Sequence, residues 1–409
     1  MFFNLNKNVY LVEGKCNACL YDFNNLKLYN LNNKLAEQIR RINEQPISTK
    51  QIDKDLKNIL DYFIDCGLLK KSDIHNSHYI QEIKASDVGC IFAWIEITNR
   101  CNLKCRHCYN ESDIHQNSVM KYDDFKLIVN SLMKLNVSKI QIIGGEPFVE
   151  KELLKKMLDY VSGKFEYIEI FTNGTLISDE WFTFLKDNKI HVALSVYSYD
   201  KAQHDNVTGS NGSWEKTNYT IRKLSDYGIP YRVCNVLMDK LDLCECNTDL
   251  YKLNKSKDIV RITGRAGFSL LNDELIRKKL ITKDTFSTAL NMPLSRTLVS
   301  GHNCFMNKIY ISADLNVYPC VMERRIRHGK IEKAHGIVLN DAIRTMNKDF
   351  INGCADCEYR YTCFDCRPNT LSGNIAEQPW YCTYNPESGK WQDVDLFIDT
   401  LKKSWKSEG

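Results

Sequence analysis

The feature that most constrains this chain is an alternation between residues 89 and 268, where six short apolar runs are separated by stretches with apolar residues at helical spacing. The runs cover 91–95, 140–143, 168–171, 192–196, 232–236 and 259–262, and the amphipathic stretches include 123–134, 150–161 and 214–227. Runs this short, rich in β-branched residues, suit strands buried on both faces. Strands joined by helices run parallel, because a crossover of that length returns the chain to the same end of the sheet. The pattern predicts an α/β fold, a partial (β/α)6 TIM-type barrel over residues 86–300, with its chemistry at the C-terminal ends of the strands.

At 409 residues the chain exceeds one ordinary core, and the regions flanking the barrel differ from it. In residues 1–85, Val9 to Val12 and Ala18 to Tyr21 predict strands, with turns at Glu13-Gly14-Lys15 and Asn24-Asn25. Leu35, Ile39 and Ile42, then Ile52, Leu56, Ile59, Leu60 and Phe63, recur at helical spacing. A small winged-helix-like domain is expected there. Over residues 301–409 the periodicity dissolves into a cysteine-rich tail with little apolar core of its own.

A net charge of +4 over this length gives no case for a nucleic-acid partner, and the basic run at 323–328 is expected to be solvated or to face a substrate. With 43% hydrophobic and 26% charged residues the composition is that of a globular protein. No stretch approaches the roughly 18 apolar residues that span a bilayer, and no signal peptide is readable, so a cytoplasmic protein without a membrane partner is expected. In that reducing compartment the seventeen cysteines, an odd number, are expected to bind metal where they cluster.

Cys101, Cys105 and Cys108 form CxxxCxxC directly after the first barrel strand. Three thiolates on one loop can hold three irons of a 4Fe-4S cube and leave the fourth without a protein ligand, whereas zinc favours four ligands in two short pairs. Gly144-Gly145-Glu146-Pro147 ends the second strand, where glycines allow close approach and the carboxylate can accept from an ammonium group. Thr172-Asn173-Gly174 ends the third strand and Ser195 lies on the fourth.

CxxxCxxC in this setting is the signature of the radical S-adenosylmethionine (SAM) superfamily, which the chain resembles. The resemblance implies that SAM chelates the open iron and is cleaved to methionine and a 5′-deoxyadenosyl radical. It further implies that Gly144, Gly145 and Glu146 bind the SAM amino group, that Thr172 and Ser195 lie along the cofactor, and that His107 sits beside the adenine. Relatives place an arginine for the SAM carboxylate where this chain has Thr208, so that partner stays unassigned.

The tail places Cys304, Cys320, Cys354, Cys357, Cys363, Cys366 and Cys382 as C-x15-C, then C-x2-C-x5-C-x2-C, then C. A pair of zinc ribbons is one reading. With Tyr318-Pro319-Cys320 and the 354–361 segment, the pattern resembles the SPASM domain, which carries two auxiliary 4Fe-4S clusters. That resemblance implies an outer cluster on Cys354, Cys357, Cys363 and Cys382, and an inner one on Cys304, Cys320 and Cys366. Leu315 replaces the usual glycine, and Tyr310 stands where some relatives supply the inner cluster's fourth ligand. The inner cluster then either keeps an open iron or borrows Cys234, Cys244 or Cys246.

A hairpin and helices before a radical SAM barrel resemble the leader-recognition element of ribosomal peptide maturases, which binds a precursor's leader as an added strand. A DNA-binding winged helix is the other reading of that region. Cys16 and Cys19 make a lone CxxC, while Cys66, Cys90 and Cys234 suit buried small residues. Altogether the chain resembles the maturases of grasp-with-spasm systems. This implies a precursor peptide bound through residues 1–85, a flavodoxin or ferredoxin as electron donor, an ATP-grasp ligase encoded nearby, and three 4Fe-4S clusters with SAM. The leading expectation is a peptide cyclase forming a thioether, ether or carbon–carbon link. Sulfatase-maturase-like oxidation, epimerisation, and a non-enzymatic iron-sulfur redox sensor are the alternatives. Val321, directly after the Tyr-Pro-Cys cysteine, cannot transfer a proton as the aspartate of sulfatase maturases does.

Overall fold

A computed structural model describes residues 2–46, 52–76, 79–84, 87–241, 258–287, 289–370 and 373–407. The chain divides into two compact units. One comprises Met1–Lys84, Leu280–Asn303 and Thr345–Gly409, and the other Ala85–Lys279 and Cys304–Arg344. Residues 280–303 and 345–409 thus group with the N-terminal segment, and 304–344 with the barrel.

In the first unit, β1 (Phe2–Leu5) pairs antiparallel with β5 (Leu69–Ser72), while β2 (Val9–Glu13), β3 (Asn17–Asp22) and β4 (Lys27–Asn32) form a meander. Between them lie α1 (Asn33–Glu44) and α2 (Lys54–Asp65), begun by Asn32 and Asp53, whose side chains accept from Leu35 N and Leu56 N. Capping of this kind is worth about 1 kcal/mol per helix. Ala36, Ile39 and Ile42 of α1 and Leu56, Leu60 and Phe63 of α2 close a core with Ala18 and Leu20.

Nearly every residue of β3 is buried because both faces of the meander are covered. Its other face, carrying Cys19 and Tyr21, packs against Leu290, Tyr359 and Tyr384, with Trp391 alongside. This fate of Cys19 answers the CxxC motif. Cys19 Sγ bonds Asn30 Oδ1 at 3.0 Å and Cys16 Sγ bonds Glu387 O at 3.2 Å, so the two thiols serve separate packing contacts.

In the second unit, β6 (Phe92–Glu96), β7 (Lys139–Ile143), β8 (Tyr167–Thr172), β9 (His191–Ser195) and β10 (Tyr231–Cys234) run parallel in that order. Between successive strands lie α3 (Tyr122–Lys134), α4 (Lys151–Val161) and α5 (Asp179–Asp187), then α6 (Lys201–Thr208) and α7 (Ser213–Asp226). Alternate strand residues such as Ile140, Ile142, Ile168, Ile170, Val192 and Leu194 face these helices in one core.

The sixth run does not make a strand among the described residues; it contributes a single parallel bridge, Leu237 to Ile259. The added strand comes from the tail. β11 (Lys308–Ile311) pairs parallel with β6 and continues into β12 (Asn316–Tyr318) and β13 (Gly329–Lys330). Alternation of Ile309 and Ile311 into the barrel core explains why this segment belongs with the barrel. No helix among the described residues is long and apolar enough to cross a membrane.

Candidate active site

The C-terminal ends of β6 to β9 open onto one cavity of about 250 Å³. Its wall includes Cys101, Cys105, His107, Cys108, Gly144, Gly145, Thr172 and Ser195, every residue predicted at this site except Glu146. The cysteine loop has no regular structure of its own, and its backbone is held from three sides. Cys101 N donates to Asp113 O at 3.0 Å, and Lys104 N and Arg106 N donate to Thr208 O and Val207 O at 3.1 and 3.0 Å. Arg265 closes the third side, its Nη1 donating to Cys105 O at 2.9 Å and its Nη2 to Ser112 O. A Cβ on Gly264 would lie 2.5 Å from the carbonyls of Cys108 and Tyr109, so only glycine lets this segment approach.

Burial pushes the Cys101 thiol far above its ordinary value, with Glu146 and the other two thiols adding to the effect. Burial likewise raises Cys105 to about 12, helped by Cys108. Such thiols give up their protons only to a cation that replaces them, which is how a buried thiol set takes a metal or cluster. No set of three or more ligating side chains is drawn in to metal-binding distance among the described residues. The fold supplies the shared wall and the backbone clamps.

His107 presents an unpartnered polar atom to this cavity. Its Nδ1 is buried without a hydrogen bond, and burial, with Arg265 nearby, lowers its pKa to about 4, so the ring is neutral. The ring stands edge-on to Tyr197 at 4.5 Å and 71°. A flat neutral ring with a free nitrogen beside three thiols and two glycines fits a nucleoside-bearing cofactor, so the donor set agrees with the group the motif implies.

Glu146 stands behind the cavity wall. Its carboxylate is fully buried, accepting from Thr172 Oγ1 and Asn173 N at 2.7 Å and from Phe148 N at 3.0 Å. It therefore braces the end of β7 against that of β8. Despite these donors, burial raises its pKa to about 7. The two glycines serve the same joint: a Cβ on Gly145 would lie 2.3 Å from Arg100 O, and one on Gly144 2.7 Å from Thr98 O.

Other expectations meet similar local reasons. Thr208 is buried and bonds Ser213, while Asp205 caps α7 through Gly212 N, Ser213 Oγ and Trp214 N at 2.7 to 2.8 Å. Asp205 thus ties α6, whose last carbonyls clamp the cysteine loop, to the start of α7. Cys234 is half-buried and accepts from Arg232 Nη1 at 2.8 Å, so it is not core. Cys244 and Cys246 lie outside the described residues. Within the run at 323–328, Glu323 is fully buried under Arg325, and Arg324 stacks 3.9 Å from the Tyr310 ring centroid. The Tyr310 hydroxyl donates to the buried Glu96.

Tyr197, which sequence reasoning missed, lines the same wall against the His107 ring. Its place two residues after Ser195 on the same face is the signal that could have found it. Arg265 was also missed, since it acts across 160 residues of chain. Val321 and Met322 line the cavity too, and both are apolar.

Of the tail cysteines, Cys354, Cys357, Cys363 and Cys382 lie in the first unit, and Cys363 adds to the raised pKa of the other three. Burial is the larger cause, taking Cys354 to about 12 and Cys382 to about 11. Four thiols in one region, Cys354 buried and the others half-buried, suit a cluster or a metal ion. Of the three thiols expected at the inner cluster, Cys304 and Cys320 belong to the second unit and Cys366 to the first.

Residues 95–242 match the radical SAM superfamily. The chain is 32% identical over 238 residues to the antilisterial bacteriocin subtilosin biosynthesis protein AlbA of Bacillus subtilis, covering 58% of this chain and 50% of AlbA. The chain thus spans about half the length of curated relatives such as AlbA. It is 24% identical over 288 residues to the GTP 3′,8-cyclase of Clostridium perfringens, covering 65% of this chain and 86% of that protein. In fold it is similar to Streptococcus suis SuiB bound to precursor peptide SuiA, with a TM-score of 0.52 at 14% identity over 90% of this chain and 96% of that one. The parallel strands β7 to β10 and the three-cysteine loop thus lie within the segment, residues 95–242, that is similar to the radical SAM superfamily.

Proposed function

We propose that this chain is a radical SAM maturase that cross-links a ribosomally made precursor peptide, with residues 1–85 taking the leader and three 4Fe-4S clusters serving the chemistry. The observation that carries this reading is the single cavity wall shared by Cys101, Cys105, His107, Cys108, Gly144, Gly145, Thr172 and Ser195. Bound there, a 4Fe-4S cluster and SAM supply a 5′-deoxyadenosyl radical that removes a hydrogen atom from substrate.

The chain's own residues then have defined tasks. Cys101, Cys105 and Cys108 hold the cluster, His107 and Tyr197 flank the nucleoside, and Gly144 and Gly145 keep the β7 end against the loop. Cys354, Cys357, Cys363 and Cys382 would hold the outer auxiliary cluster, and Cys304, Cys320 and Cys366 the inner one. Similarity to AlbA and the SuiB-like fold support a peptide substrate, while the likeness to a GTP cyclase extends across the barrel that these enzymes share. A flavodoxin or ferredoxin would deliver the electron, and an ATP-grasp ligase would act on the same precursor.

Val321 at the cavity wall favours cross-linking over oxidation to an aldehyde, because the position offers no proton acceptor. The test is mass spectrometry of the precursor encoded beside this gene, co-expressed with the enzyme. A product lighter by two hydrogens that does not react with hydrazide is expected. A hydrazide-reactive product would establish the oxidative reading, and an unchanged mass with an inverted centre would establish epimerisation.

A further inference from the structure

Gln141 is the middle residue of β7, between Ile140 and Ile142, which face the helices. Alternation along the strand turns Gln141 to the other side of the sheet, where it lines the cavity while only 4% exposed. Directly opposite it on β8 is Glu169, 2% exposed, and Gln141 Nε2 donates to Glu169 Oε2. The same carboxylate accepts from Arg232 Nε and Nη2, each at 2.8 Å, and from the Tyr167 hydroxyl at 2.7 Å. Arg232 reaches it across β9, where its register partner Ala193 is too small to obstruct the guanidinium.

Four donors fill what an ionised carboxylate accepts, and a bidentate arginine keeps it ionised. An amide held by its nitrogen against such a group cannot turn over, because the flip would set its oxygen against the anion. Gln141 Oε1 is thus directed away from Glu169, and it accepts no hydrogen bond from any described residue. Trp94, beside it on β6, and Ile143 and Phe171, one step further up the same face, make the adjoining wall largely apolar. An acceptor placed there loses its water when the cavity fills, and it stays unpaired unless the occupant brings a donor.

We propose that Gln141 is a specificity-determining residue of this cavity: its Oε1, aimed by the Glu169–Arg232 pair, accepts a hydrogen bond from the main-chain N–H of the peptide residue being modified. This rests on the peptide-modifying reading above and names the group in the peptide that is read. The amide nitrogen is bonded directly to the α carbon, so holding it also holds the carbon that loses hydrogen. Every residue but proline carries that donor. Glu169 acts through Gln141 and is a positioning residue.

The test compares two synthetic precursor peptides on full-length reconstituted enzyme, one with the natural amide at the modified residue and one with an ester oxygen in place of its N–H. The readout is the ratio of their kcat/KM values. Wild type is expected to favour the amide by about tenfold or more, the loss that follows from one unpaired buried acceptor. In Gln141→Met, which keeps the shape without the acceptor, the two peptides should come within about twofold of each other, because the partner of the N–H is already gone. Glu169→Gln, which frees the amide to turn, should lower the preference as well, and it decides the matter if Gln141→Met fails to fold. A purely structural role would slow both peptides alike and leave the ratio where it was, which overturns the proposal. Equal use of amide and ester by wild type would overturn it too, and so would a kept preference with weakened SAM binding in Gln141→Met, since the acceptor would then serve the cofactor. If wild type leaves the amide precursor unmodified, the peptide-modifying reading itself fails and takes the proposal with it.

Discussion

Glu146 offers the sharpest test of how this site is built, because its buried carboxylate holds three donors from the ends of β7 and β8 beside the cavity. Replacing it with glutamine keeps the shape but turns an amide N–H₂ toward some of the three donors now satisfied by Phe148 N, Thr172 Oγ1 and Asn173 N. Leaving a buried donor unpaired costs about 1–3 kcal/mol, so Glu146→Gln should cost about 2 kcal/mol and Glu146→Ala about 4 kcal/mol. For a unit of this size each kcal/mol lowers Tm by about 2–4 °C, which makes the glutamine variant melt about 4–8 °C lower. Thr172→Val should remove part of the same interaction, so the double variant should lose less than the two single losses combined. The pH dependence has a defined sign. A carboxyl whose folded pKa is raised from 4.5 to about 7 contributes stability that is complete below pH 4.5 and is lost as pH rises through 7. That slope should vanish in Glu146→Gln. The assay is thermal unfolding of the apo chain beside SAM cleavage by the reconstituted enzyme. If Glu146→Gln melts like wild type yet no longer cleaves SAM, the carboxylate acts on the cofactor directly and the brace assignment is wrong.

Changing Cys101, Cys105 and Cys108 together to alanine should remove the iron of one cluster from reconstituted protein and abolish SAM cleavage; iron analysis with quantitation of 5′-deoxyadenosine checks this, and undiminished cleavage would defeat the site assignment. Gly145→Ala drives a Cβ into the Arg100 and Asn99 carbonyls, so it should cost about 1–3 kcal/mol and weaken SAM binding, both measurable by melting and equilibrium dialysis. His107, neutral because burial lowers its pKa to about 4, contributes stability that is complete above pH 6.5 and lost as pH falls through 4; His107→Phe should remove that acid-side loss in pH-dependent melting curves. Because burial raises the Cys101 and Cys105 thiols, cluster loading must release protons, and iron incorporation should rise between pH 7 and 9, seen by absorbance during reconstitution.

The sequence by itself determined the short-range parts. Five of six apolar runs are the parallel strands of the barrel, because an apolar run of four or five residues between helices has few other uses. Cys101, Cys105 and Cys108 come together because eight residues of one loop cannot separate far, and Gly144, Thr172 and Ser195 join them because strand ends of one parallel sheet share an edge. Tertiary structure decided what each of these side chains faces. Glu146 turns inward because the donors at Phe148, Thr172 and Asn173 are assembled only when β7 and β8 pair. The last run stays a single bridge at Ile259 while β11, more than 200 residues after β6, completes the sheet on the other side, since its register is set by pairing and not by any local signal. Arg265 carries no motif at all. Its role arises from reaching the cysteine loop across 160 residues of chain, and long-range packing is what a linear pattern cannot express.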